Sequence, residues 1–225
     1  MTRPQILRID HLNTFDPLTE NQKTSFDAWK DGNHLMMYGT AGTGKTFLGI
    51  YFALEEVMNK STPLDKVVIV RSVVPTREIG YLPGTLEEKL SAYTAPYIPI
   101  MSTLFDDGSA FEKLIRQDVL EIMSTSHIRG LTLDDTIVVV DECQNLTFHE
   151  LDSIITRLGR NSRIIFAGDY RQSDFTKEND KKGIMDFINI IEQLKNFSCV
   201  EYNWKDIVRS DFVRDYIMTK EMLNL

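Results

Sequence analysis

The residues of this chain best suited to chemistry form a glycine-rich octapeptide between a predicted strand and a predicted helix. The octapeptide matches the G-x-x-x-x-G-K-[ST] pattern in full and reads Gly39-Thr40-Ala41-Gly42-Thr43-Gly44-Lys45-Thr46. Glycines let the backbone curl until several N–H groups converge on phosphate oxygens, and the N-terminus of the next helix adds its positive dipole. Lys45 can neutralise the outer phosphates and Thr46 can ligate Mg²⁺ through its hydroxyl. The pattern predicts a site for a nucleoside triphosphate.

Two acidic residues, Asp141 and Glu142, follow a β-branched apolar run at 137–140. Side chains alternate along a strand, so the two carboxylates point in different directions. We expect Asp141 to hold Mg²⁺ directly or through water, and Glu142 to orient and deprotonate an attacking water. Two acids at a strand end are often only solvated. Beside a phosphate loop, however, this pair favours nucleotide hydrolysis over the transfer of phosphate by a kinase.

Gln172 lies in a polar segment that follows another apolar run, at 164–167. The carboxyl ends of parallel strands share one edge of a sheet, which is where ligands bind in such folds. A glutamine amide both donates and accepts hydrogen bonds, so Gln172 could contact the γ-phosphate and the attacking water and thereby sense hydrolysis. The alternative is an ordinary polar turn after a strand.

Short apolar runs alternate with helical patterns along most of the chain. Continuous apolar runs are typical of strands covered on both faces, so we predict an α/β fold with a mostly parallel central sheet and helices on both faces. Residues 1–18 are polar and are predicted to form an N-terminal arm, whereas 19–225 form a single domain with a helical insertion at about 71–133. The predicted strands are 34–38, 67–70, 137–140, 163–169 and 199–202.

The composition restricts the function and location of the chain. Its 225 residues are 42% hydrophobic and 26% charged, which is typical of a globular protein. The formal net charge of −8 argues against tight, sequence-independent binding of nucleic acid by a basic surface. Two cysteines do not make a disulfide framework or a zinc site, and neither a signal peptide nor a membrane span is recognisable. We therefore expect a soluble cytoplasmic protein that does not bind membranes.

Four segments together resemble the PhoH family over roughly residues 18–217. These are GTAGTGKT, EIGYLPGTLEEKLSAYTAPYIPIM, IRGLTLDDTIVVVDECQNLT and RIIFAGDYRQSDF. The resemblance implies a RecA-like P-loop NTPase core, similar to the first motor domain of superfamily 1 helicases, that binds ATP and Mg²⁺. Cys143 replaces the alanine usual in the family, a change between small side chains. Short chains of this kind resemble the branch encoded by bacteriophages, for which the location would be the host cytoplasm.

The same resemblance implies roles for three further side chains. Gln22 would contact adenine, although it is also the N3 residue of a capping box that begins at Thr19. Gln144 would couple the metal site to Gln172 or to a nucleic acid. Arg209 lies in a segment that looks like the family's late arginine motif. It would stabilise the transition state from within its own chain or from a neighbouring subunit. The alternative is a surface ion pair.

Two functions are compatible with these sequence features. The first is Mg²⁺-dependent ATP hydrolysis coupled to the binding or remodelling of RNA or single-stranded DNA. Because a helicase-like motor needs two domains, a single core would have to act as a homo-oligomer, for example a ring. The second is a nucleotide-gated regulatory or assembly ATPase that acts on a protein partner without nucleic acid, which the net charge of −8 favours.

Overall fold

The computed structural model of the chain describes residues 6–71, 94–169 and 178–223. Its six described strands are β1 (His34–Gly39), β2 (Lys66–Arg71), β3 (Leu120–Ser124), β4 (Thr136–Asp141), β5 (Arg163–Gly168) and β6 (Phe197–Tyr202). They form one sheet in the order β3-β2-β4-β5-β1-β6, and every neighbouring pair is parallel. The predicted α/β fold with a parallel central sheet is therefore confirmed.

Helices cover both faces of this sheet. They are α1 (Glu20–Lys30), α2 (Lys45–Met58), α3 (Tyr97–Phe105), α4 (Ala110–Arg116), α5 (Thr125–Ile128), α6 (Phe148–Ile155), α7 (Glu178–Ile191) and α8 (Asp211–Met222). Alternation along the buried strands assigns each side chain to a face: Ile137 and Val139 pack with α1 to α4, whereas Val138 and Val140 pack with α5 to α7. Both sets are fully buried, which explains the uninterrupted apolar runs in the sequence.

The predicted insertion at about 71–133 contains an edge strand, β3, in addition to its helices. This strand has no clear signal in the sequence, because an edge strand is only partly buried and here includes Glu121. Residues 6–18, predicted as an arm, lie against α3 and α4: Leu7 is buried and exchanges two hydrogen bonds with Gln117, and Asn13 donates to the carbonyl of Leu104. Among the described residues, no helix has the length and apolar character needed to span a membrane.

Candidate active site

The predicted site residues meet where the parallel strands end. β1 leads into the glycine-rich loop, β4 ends at Asp141, and β5 leads into Asp169. All three open on one cleft of about 720 Å³, which is also lined by Gln22 and Arg209. A cleft of this size accommodates a ligand as large as a nucleotide.

Helix α2 begins directly at the glycine-rich loop. Its N-cap is Gly44, whose φ of 87° is in the left-handed region that glycine adopts without strain. The ammonium of Lys45 donates to the carbonyls of Gly39 (2.8 Å) and Thr40 (2.7 Å) and to the hydroxyl of Thr43 (3.2 Å). These three hydrogen bonds hold the loop around the ammonium of Lys45, which lies where the motif requires a phosphate-binding cation.

Lys45 is a buried cation, with only 8% of its surface exposed. Burial lowers the pKa of its ammonium, while the nearby carboxylates of Asp169, Glu142 and Asp141 raise it. A phosphate group in the cleft would add negative charge next to this ammonium and stabilise its protonated form.

The carboxylate of Asp141 accepts a hydrogen bond on each of its oxygens. The hydroxyl of Thr46 donates to Oδ1 at 2.7 Å, and the phenol of Tyr97 donates to Oδ2 at 3.0 Å. Asp141 is 4% exposed, and burial raises its pKa although both hydrogen bonds oppose that effect. The predicted metal residues Thr46 and Asp141 are therefore brought into direct contact.

This pair of side chains fits a magnesium ion. Because the Thr46 hydroxyl donates its hydrogen bond to Asp141, the lone pairs of its oxygen remain available to a cation. Mg²⁺ prefers a few protein oxygens completed by phosphate oxygens and water, and a hydroxyl beside a carboxylate at the edge of a phosphate loop supplies that donor set.

Glu142 lines the cleft next to Asp141 and has a left-handed backbone, with φ of 52°. Such a conformation is uncommon outside glycine and marks a constrained position. Gln144 donates to the Glu142 carboxylate at 2.6 Å, and its side-chain oxygen accepts from the N–H of Asp169 at 3.0 Å. One buried amide therefore joins the predicted base to the end of β5.

Gln22 lies under the glycine-rich loop and is 3% exposed. Its amide nitrogen donates to the carbonyl of Thr43 at 3.0 Å, and its oxygen accepts from the N–H of Leu18 at 2.8 Å. The capping box predicted at Thr19 is only half formed, because Thr19 accepts from the Gln22 N–H while Gln22 bonds to Leu18 instead of returning the bond to Thr19. One hydrogen and one lone pair of the amide are left for a base.

Arg209 follows β6 and lies on the glycine-rich loop of its own chain. The preceding residue, Val208, donates its N–H to the carbonyl of Gly42 at 3.1 Å. A Cβ placed on Gly42 would lie 3.1 Å from the Cγ of Arg209, so the arginine stem covers this turn of the loop. The guanidinium is thereby tethered beside the cleft that it lines.

Gln172, the predicted sensor, lies outside the described residues. Two residues that the sequence analysis did not assign to the site belong to it by position. Asp169 is 6% exposed and is the carboxylate that most strongly raises the pKa of Lys45. Its place immediately after a buried strand was a signal for Asp169, whereas Tyr97 was marked only by its place in one of the four family-like segments.

Some known proteins are similar to this chain in sequence, and others are similar to it in fold. A family model described as PhoH-like protein matches residues 14–220. The chain belongs to the PhoH-like family. A PhoH-like protein of Mycobacterium leprae is 32% identical over 220 residues, which cover 95% of this chain and 61% of the relative. A PhoH-like protein of Bacillus subtilis is 32% identical over 208 residues, covering 92% and 64% of the two chains. This PhoH-like chain thus spans about three fifths of the length of these curated relatives.

Protein PhoH of Escherichia coli is also similar, with 30% identity over 176 residues that cover 76% of this chain and 48% of the relative. Among solved structures, the large terminase from a thermophilic bacteriophage, in complex with ADP, has the same fold. It superposes with a TM-score of 0.52 at 11% identity and covers 92% of this chain and 50% of the terminase chain. The α/β fold with a parallel central sheet, which the sequence of this PhoH-like chain predicts, is thus shared with the terminase.

Proposed function

We propose that this PhoH-like chain is a Mg²⁺-dependent ATPase that hydrolyses ATP in the cleft beside Lys45. The observation that carries the proposal is the meeting of a phosphate-loop lysine, a hydroxyl–carboxylate pair and a held glutamate at one edge of a parallel sheet. Membership of the PhoH-like family and the fold shared with an ADP-bound terminase support it.

Each side chain has a defined part in this proposal. The loop N–H groups and Lys45 bind the β- and γ-phosphates, replacing the internal hydrogen bonds that Lys45 makes with the loop. Glu142, held by Gln144, orients the attacking water and accepts its proton. Gln172 contacts the γ-phosphate, and Arg209 stabilises the charge that develops on the transferred group. Gln22 recognises adenine with the hydrogen and lone pair left over from its contacts to Thr43 and Leu18.

Thr46 and Asp141 would hold the magnesium ion, Thr46 through its hydroxyl oxygen and Asp141 through that hydroxyl or through water. Bound there, the ion neutralises charge on the phosphate oxygens. The two side chains already hold each other in place through their hydrogen bond, so binding of the ion would require little rearrangement of either group.

We further propose that ATP hydrolysis is coupled to RNA or single-stranded DNA and that copies of the chain act together in the cytoplasm. One RecA-like core closes only one side of a nucleotide, and a motor requires a second surface that moves against the first. A homo-oligomer, for example a ring, would supply that surface. Cys143 and Cys199 are both free thiols, which suits a reducing compartment.

The test measures ATP hydrolysis with and without single-stranded RNA at low and high salt. We expect a basal Mg²⁺-dependent rate, a severalfold increase with RNA that high salt removes, and no activity in Lys45→Ala. Single-stranded DNA is assayed in parallel. A second measurement determines the mass in solution with and without a non-hydrolysable ATP analogue. Absence of Mg²⁺-dependent hydrolysis in the intact chain under all conditions would contradict the proposal.

The alternative is an ATPase that acts on a protein partner without nucleic acid. The net charge of −8 favours it, because a negatively charged surface repels phosphate backbones. The same assay separates the two functions. ATP hydrolysis that is unaffected by RNA and by DNA, with no retention of either nucleic acid at low salt, would leave this alternative.

A further inference from the structure

We propose that Tyr97 is a positioning residue of the magnesium site, and that its phenol fixes the orientation of the Asp141 carboxylate. This inference rests on the proposed function only in taking Asp141 as the magnesium carboxylate. It assigns a part in the site to helix α3, which belongs to the insertion and not to the sheet or its loops.

The contact joins two buried side chains. Tyr97 is fully buried and Asp141 is 4% exposed. The phenol donates to Oδ2 at 3.0 Å while Thr46 donates to Oδ1 at 2.7 Å, so each carboxylate oxygen has one hydroxyl donor. Burial raises the pKa of Tyr97 and the neighbouring Asp141 raises it further, which keeps the phenol protonated as a donor.

Two donors fix a carboxylate where one does not. With Thr46 alone, the Asp141 carboxylate could rotate about its Cβ–Cγ bond and exchange its oxygens. With Tyr97 on the second oxygen, the plane of the carboxylate is set and Oδ1 stays on the Thr46 side. Groups that orient metal ligands in this way typically change metal affinity about 10- to 100-fold when removed.

The position of Tyr97 connects this hydrogen bond to the wall of the nucleotide cleft. Tyr97 is the first residue of α3, and Pro96 is the N-cap of this helix. Pro96 lines the nucleotide cleft together with Pro99 and Ile100, which lie in the first turn of α3. The helix that forms one wall of the cleft therefore also holds the metal carboxylate. Any shift of α3 relative to the sheet would act on Asp141 through this hydrogen bond.

Tyr97→Phe tests the inference, because it removes one oxygen and keeps the ring. We expect the Mg²⁺ concentration for half-maximal ATP hydrolysis to rise about tenfold. At saturating Mg²⁺ the turnover should return to within about twofold of the original, since no reacting group is lost. In calorimetry, ADP in EDTA should bind the variant as it binds the original chain, while the tightening that Mg²⁺ adds should be largely lost.

Tyr51→Phe is the matched control. Tyr51 is also a buried tyrosine whose phenol donates to a carboxylate at 3.0 Å, but its partner is Glu55 on the same helix and it does not line the cleft. A general effect of removing a buried phenol would appear in both variants. The inference requires a changed Mg²⁺ dependence in Tyr97→Phe alone.

The results separate this inference from the proposed function. If the intact chain does not hydrolyse ATP, the proposed activity fails, and calorimetry with Mg²⁺ and ADP still tests Tyr97. If Tyr97→Phe does not fold, Tyr97→Met, which also lacks the hydroxyl and suits the apolar surroundings of the ring, takes its place; we expect it to need about tenfold more Mg²⁺ than the original chain. Equal Mg²⁺ dependence of the original chain and the folded Tyr97 variant overturns the inference.

Discussion

Gln144 and Glu142 are joined by a hydrogen bond of 2.6 Å, in which the amide donates to the carboxylate that we assign as the base. The same amide accepts from the backbone N–H of Asp169, at the start of the segment that contains Gln172. The base is thus connected through one side chain to the adjacent strand end, three residues before the proposed sensor. A change in the segment after β5 has a direct physical route to Glu142, because Gln144 cannot keep both bonds if one partner moves.

Glu142→Gln should keep ATP bound and reduce its turnover about 10²- to 10⁴-fold, because the amide is nearly the same size but cannot accept the proton of the attacking water. Calorimetry and steady-state hydrolysis measure the two effects separately. Glu112→Gln, an exposed glutamate in the first turn of α4, is the control and should hydrolyse ATP at the original rate. Normal turnover in Glu142→Gln would show that another group is the base.

Arg209→Ala should bind ATP as well as the original chain does. It should hydrolyse ATP at least about a hundredfold more slowly, because a donor that stabilises charge in the transition state is lost. The structure tethers Arg209 to the loop of its own chain through Val208 and Gly42, so we expect it to act in cis. Mixing Arg209→Ala with Lys45→Ala should then restore no activity. Recovery in the mixture would instead establish that a neighbouring subunit supplies the arginine. Arg214→Ala, on the exposed helix α8, is the control.

The sequence predicted those parts of the site that lie in contiguous segments next to buried strands. The phosphate loop, Asp141 and Glu142 could be found because apolar runs located the strand ends and parallel strands share an edge. Tyr97 could not be found in this way, since its contact with Asp141 spans 44 residues and depends on how α3 packs. Likewise, the edge strand β3 lacks the fully apolar pattern, because only one of its five residues is buried.

Gly39→Ala should destabilise the fold by at least about 2 kcal/mol, because Gly39 combines a φ of 112° with a close approach of backbone. A Cβ at this position would lie 2.1 Å from the carbonyl oxygen of Tyr202, which is fixed in β6 and accepts from the N–H of Thr40. Denaturant unfolding gives the free energy of unfolding. Gly108→Ala, where a Cβ meets nothing within 4 Å, should leave it nearly unchanged. Equal stability of both variants would contradict the steric argument.

His34 predicts a pH dependence of stability at the start of β1, far along the strand from the glycine-rich loop. Burial lowers the pKa of its imidazole and the charge of Arg163 lowers it further, while Nδ1 accepts from the N–H of Ile164 at 3.2 Å. The folded protein therefore keeps His34 neutral, and below about pH 6.5 the unfolded chain binds the additional proton. Stability should fall on acidification below that pH, by at most about 1.4 kcal/mol per pH unit for this one group.

His34→Asn should make that dependence shallower, because the asparagine oxygen can accept from Ile164 without titrating. The measurement is the free energy of unfolding between pH 5 and pH 7, compared as a difference between the variant and the original chain so that the titration of other groups cancels. His149→Asn, a substitution of the same kind at an exposed histidine, is the control. If His34→Asn shows the same slope as the original chain, His34 is equally protonated in the folded and unfolded states, and the structural assignment of its hydrogen bond to Ile164 is wrong.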